Sequence, residues 1–92
     1  GHPAPPALLK VVGGRYRSDE LLGSVWEIAA SAAGTITVTR PRHDAELFGW
    51  TTGSVFALRG VQLAFEDAVK GKSPAFTLKG DRVQGLRFER VP

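Results

Sequence analysis

Lys79-Gly80-Asp81-Arg82-Val83-Gln84-Gly85-Leu86-Arg87-Phe88-Glu89-Arg90-Val91 decides the fold. Gly80-Asp81 reads as a tight turn. Ahead of it, Ala75 to Lys79 sets Phe76 and Leu78 on one face. Behind it, Leu86 and Phe88 share a face while Val83 is out of phase with them. A slip of one residue within a strand predicts a bulge, here near Gln84-Gly85. The chain therefore ends in a hairpin with a closing strand.

Short strand patterns continue back from this hairpin. Val61, Leu63 and Phe65 alternate with Gln62, Ala64 and Glu66, and Phe56 and Leu58 share a face within Ser54 to Arg59. Glu46 to Thr52 is a further strand. Thr35 to Thr39 sets Ile36 and Val38 against three threonines, the period-2 signature of a half-buried strand. Val25 to Ala30 sets Trp26, Ile28 and Ala30 against Glu27, with Ala32-Ala33-Gly34 as the following turn. Leu8 to Arg17 is expected to be the first strand, bent at Gly13-Gly14. Arg40 to Asp44 and Asp67 to Pro74 are loops. The best helix candidate, Ser18-Asp19-Glu20-Leu21-Leu22, has Ser18 as a cap and is ended by Gly23 within a turn.

Seven or eight strands at intervals of roughly 8–12 residues argue for an antiparallel sandwich or barrel. Closure removes the unpaired edges of so small a sheet, so an all-β, up-and-down barrel of about eight strands is expected.

The 92 residues fit one domain, read as 8–92 behind a proline-rich lead-in over 1–7. Gly1-His2 reads as the remnant of a cleaved tag. A hydrophobic content of 42% fits a globular chain with a modest core. There is no cysteine, hence no disulfide, which leaves the compartment open. No apolar run approaches the ~20 residues of a spanning helix. The net charge is +3, but the arginines are scattered among acidic residues rather than gathered in a stripe with stacking aromatics. That distribution argues against a nucleic-acid partner.

Catalytic patterns are missing from the sequence. The residues three positions after Ser18, Ser24, Ser31, Ser54 and Ser73 are Leu21, Glu27, Gly34, Ala57 and Phe76, so no Ser-x-x-Lys pair exists. There is no Gly-x-Ser-x-Gly elbow and no phosphate loop. His43-Asp44-x-Glu46 is the one cluster of metal-type ligands, fewer than a structural zinc site takes. Asp19-Glu20 and Glu66-Asp67 are adjacent pairs, and adjacent strand residues face opposite ways. Neither an enzyme nor a metal or cofactor site is expected.

Tyr16, Trp26, Phe48, Trp50, Phe56, Phe65, Phe76 and Phe88 fall one or two to a strand. An eight-stranded barrel is just wide enough to be filled by its side chains or to hold one small ligand. These rings are expected to fill it, with a cavity for a small apolar molecule as the alternative. Phe48 and Trp50 lie opposite Leu47, so either they or Leu47 face outward. Phe48, Trp50, Arg42 and His43 are the candidate interface residues.

Three stretches carry a family resemblance: Gly14-Arg15-Tyr16-Arg17-Ser18-Asp19-Glu20-Leu21, Gly34-Thr35-Ile36-Thr37-Val38-Thr39-Arg40-Pro41-Arg42, and Gly80 to Arg90. In order and spacing, over about residues 8–91, the chain resembles the C-terminal β-barrel domain of β-lactamase-related, penicillin-binding-protein-like serine hydrolases. The resemblance implies a lipocalin-like barrel in an accessory role, with protein partners: it packs on a catalytic domain, helps it oligomerise, or places a loop near its active site. The family's nucleophile and base lie in the other domain and match no residue here. Leu47-Phe48-Gly49-Trp50 departs from the proline-bearing polar stretch common in that family.

Overall fold

Every strand pairs antiparallel with the next in sequence, and the last returns to the first. The computed structural model describes residues 2–80 and 83–92. It contains helix α1 (Pro6–Val12) and strands β1 (Gly14–Ser18), β2 (Ser24–Ala30), β3 (Ile36–Thr39), β4 (Glu46–Thr52), β5 (Val55–Leu58), β6 (Val61–Phe65), β7 (Ala75–Gly80) and β8 (Val83–Arg90). Together the strands form a closed eight-stranded up-and-down barrel, as the alternation predicts. The seam is short: Tyr16 faces Arg90 and Arg17 faces Glu89 across it, and the Val91 N–H extends it to the Arg15 carbonyl at 2.8 Å.

The bulge lies where the phase slip puts it. Leu78 faces Leu86 and Lys79 faces Gln84, so Gly85 is the extra residue on β8. Its φ of +96° is backbone that glycine adopts without steric cost. The bulge keeps both Leu86 and the β8 N-terminal half in register with β7. The expected Gly80-Asp81 turn and the Val83 side chain lie outside the described residues.

The first predicted strand is corrected. Leu8–Val12 belongs to α1, and the strand begins only at Gly14. A short apolar run such as Leu8-Leu9-Lys10-Val11-Val12 fits a buried strand or a helix equally well by pattern. Seven residues are also too few for a helix that is stable alone. Tertiary contacts supply the difference, since Val12 is fully buried and Leu8, Leu9 and Val11 pack on the core. Pro6 starts the helix, where a missing N–H costs nothing. Ala4 is itself buried and donates its N–H to the Gly34 carbonyl at 3.0 Å.

The Ser18 cap is corrected too. Asp19–Leu21 forms a single 3₁₀ turn without a side-chain cap, and the Ser18 hydroxyl is buried with no partner among the described residues. Ser18 follows Tyr16 on the inward face of β1, so its side chain points into the barrel and away from the turn.

Inward positions build a ring-filled core. Phe76 stacks on Phe88 with centroids 4.7 Å apart and planes 8° off parallel. Trp26 lies 4.6 Å from Phe88, Tyr16 4.9 Å from Phe76, and Phe65 5.1 Å from Phe76. Phe56 meets Phe65 edge-on at 5.9 Å. Such pairs add about 0.5–1.5 kcal/mol each beyond the area they bury.

Up-and-down topology sorts the connections by end. The turns after β1, β3 and β5 share one end, and α1 with the turns after β2, β4 and β6 shares the other. The α1 end is sealed. Arg90 reaches from β8 under the barrel and donates Nη1 to the Gly13 carbonyl at 2.8 Å. Its Nη2 donates to the Val11 carbonyl at 2.9 Å and the Tyr16 hydroxyl at 2.8 Å, and its Nε to the Ser73 carbonyl at 2.7 Å. The Tyr16 hydroxyl in turn donates to the Val12 carbonyl at 2.6 Å. A cation on the free carbonyls of a helix C-terminus is favourable both as a hydrogen-bond donor and against the helix dipole. Gly14, at φ +144°, permits this approach, because a Cβ there would collide with the Arg90 guanidinium.

Candidate functional site

The opposite end is where space remains. A cavity of about 330 Å³ is lined by Trp26, Val38, Phe48, Leu58, Val61 and Leu78, with Arg40, Glu46, Arg59 and Gly80 completing it. Strand alternation delivers each wall residue. Leu58 faces Val61 across the β5–β6 hairpin, one layer above the Phe56–Leu63 pair. Leu78 lies one layer above Phe76 on β7, and Gly80 follows at the mouth without a side chain. On the β5, β6 and β7 side the layer above the rings is aliphatic and ends in glycine, with Trp26 and Phe48 on the opposite wall, so the rings fill the barrel only in part.

Arg40 sits just past β3 and forms part of the rim. Its Nη2 donates to Glu46 Oε1 at 3.2 Å, and its guanidinium lies 5.6 Å from the centre of the Trp26 ring. The pair is about one third exposed at each partner (33% and 32%), so its net contribution is at most about 1 kcal/mol. The Arg40 Nε is buried and has no partner among the described residues.

Arg59 and Gly60 form the two-residue turn between β5 and β6, with φ of +50° and +81°. Positive φ at both central positions marks a type I′ turn, which favours Asn, Asp or Gly at the first. An arginine there carries left-handed strain that a commoner turn residue would avoid. Its side chain is exposed and lines the cavity mouth, with no ion-pair partner among the described residues.

The candidate interface residues are not brought together. Phe48 is 4% exposed and forms cavity wall, which corrects its place as an outward contact. Leu47, 57% exposed, is the side chain that faces out. Trp50 is half-buried against the core near the β4–β5 turn, its indole N–H donating to the Gly53 carbonyl at 3.0 Å. Arg42 and His43 are exposed in the β3–β4 loop at the cavity end, and His43 Nδ1 lies 2.9 Å from the Pro41 carbonyl. Glu46 is engaged by Arg40, and no three metal-type ligands gather among the described residues.

The loop from Asp67 to Pro74 serves as a bracket at the sealed end. The Ser73 N–H donates to the Val11 carbonyl at 2.8 Å, and the Ser73 hydroxyl bridges the Glu66 and Ala75 carbonyls at 2.8 and 3.0 Å. Burial pushes the Tyr16 phenol above its ordinary value, opposed by the Arg90 cation. The two residues that organise this end, Tyr16 and Arg90, stand 74 positions apart, and no local pattern links them. Arg59 did leave a signal: two residues, the second glycine, separate two alternating runs.

No protein-family model matches the chain, and no curated protein or solved structure is significantly similar to it. Among the described residues, no helix is long and apolar enough to cross a membrane.

Proposed function

We propose that this domain is a non-catalytic, lipocalin-like binder that holds a small apolar molecule in the open end of its barrel. One observation carries the reading: an apolar cavity of about 330 Å³ walled by six inward side chains. Small-molecule sites begin at about this size, and are mostly apolar with few polar groups at fixed places. At the ~30 Å³ that a molecule of liquid water occupies, the space admits roughly ten heavy atoms. A barrel of this size needs its rings for stability, and here the rings supply that while leaving the β5, β6 and β7 side of the open end aliphatic.

Native mass spectrometry of the purified domain, under conditions that keep small molecules bound, tests the proposal together with a cavity-filling variant. Val61→Phe places a ring in the cavity. The expected result is a bound small molecule on the parent domain and none on Val61→Phe. Equal occupancy of both proteins would place the ligand elsewhere and end this reading.

A second role, as an accessory module that contacts a catalytic domain or a second copy of itself, draws support from Leu22. That side chain is fully exposed at the tip of the β1–β2 turn, and its backbone is left-handed at φ +55°. A bulky residue held in such a conformation is a genuine outlier and points to use of the tip as a contact. Leu22, Arg42 and His43 lie on turns at the same end of the barrel.

A further inference from the structure

We infer that the cavity selects amphipathic carboxylates, with the apolar chain inside the barrel and the carboxylate held at the mouth by Arg59, with Arg40 on the same rim. The inference rests on the cavity being a ligand site and adds the chemical class of what enters it. Two independent features point to an anion. Arg40 presents a buried Nε without a partner on the rim of an apolar cavity, while Glu46 occupies only its Nη2. A buried donor left unpaired is costly, and a ligand acceptor that reaches it removes the cost. Arg59 stands on the same rim at a turn position that disfavours arginine. A side chain kept at the expense of backbone strain indicates a task for that side chain.

The charge balance agrees. Arg40 is matched by Glu46, so Arg59 leaves the lining one positive charge in excess. A planar carboxylate also suits the forked donors of a guanidinium. The walls above the ring layer are aliphatic on the β5, β6 and β7 side, with Trp26 and Phe48 opposite, which fits an alkyl chain. The cavity volume admits a chain about as long as that of octanoate.

Calorimetric titration with octanoate and with octanol separates the two layers of the argument. The alkyl body is shared and only the head group differs. The expected result is octanoate binding roughly tenfold more tightly, the scale of one charge-assisted hydrogen bond. Arg59→Asn should erase that preference by weakening octanoate binding far more than octanol binding. The same substitution installs the Asn-Gly pair favoured in this turn, so the melting temperature should rise, which excludes misfolding as the cause. Equal affinity for both probes would overturn the carboxylate inference and leave the apolar cavity standing. A preference that survives Arg59→Asn would overturn the assignment to Arg59. Failure of both probes to bind would remove the cavity reading and this inference together.

Discussion

Arg90 and Arg40 sit at opposite ends of one barrel and are used in opposite ways. Arg90 commits four of its five N–H donors to Gly13, Val11, Tyr16 and Ser73, and its guanidinium covers the Tyr16 ring at 4.9 Å. Arg40 gives one donor to Glu46, rests on Trp26, and leaves Nε unpaired among the described residues. One end is satisfied and sealed, and the other is incomplete and holds a cavity. The same residue type closes the first and equips the second, because what differs is the supply of acceptors. At the sealed end, helix α1 ends in free carbonyls. At the open end, among the described residues, the only acceptor Arg40 meets is the Glu46 carboxylate.

Removing Arg90 should have the largest effect. Arg90→Met keeps much of the stem but leaves buried carbonyls of Val11, Gly13 and Ser73 without this donor. A loss of about 3 kcal/mol is expected, the scale of breaking a buried charged network. Urea denaturation measures it. A loss no greater than that of Arg40→Met would erase the contrast between the ends.

Tyr16→Phe is the next in size. It strands the Val12 carbonyl and one Arg90 donor, at about 1–2 kcal/mol. It also tests the phenol directly. The folded protein keeps Tyr16 protonated above its ordinary value of 10.0. The unfolded chain loses that proton first, so this contribution is present below pH 10 and declines as pH rises through the raised folded value. Parent stability measured from pH 8 to 11.5 should therefore fall more steeply at the alkaline end than that of Tyr16→Phe. Tyr16 is the sole tyrosine, so its own titration can be followed by tyrosinate absorbance.

The smallest effect on stability is expected at the open end. Val61→Phe enters existing space rather than a packed core, so its cost should stay within about 1 kcal/mol while binding is lost. A cost approaching that of Arg90→Met would mean that the upper layer is as closely packed as the lower.

Much of the barrel was legible in the chain. Alternation at Ile36 and Val38, at Leu63 and Phe65, and at Phe76 and Leu78 marked strands whose inward residues the structure buries. The phase slip beside Gly85 located the bulge. The cavity was legible only as an alternative. The sequence gives each ring a strand and a face but not its height, and height separates the filled layers from the empty one. Phe48 and Trp50 show the same limit. Their shared face was evident, but which face turned inward depended on closure, which set Leu47 outside.

Local sequence by itself therefore determined most of the strands, their turns and the slip of register beside Gly85, because side-chain direction follows backbone period over a few residues. Only the tertiary structure decided that Leu8–Val12 is helical, that Arg90 seals one end, and that Arg40 and Arg59 line one cavity at the other. Each of those depends on groups far apart in the chain. A seven-residue helix has no stability until distant side chains satisfy its carbonyls, and a cavity has no address until eight strands close around it.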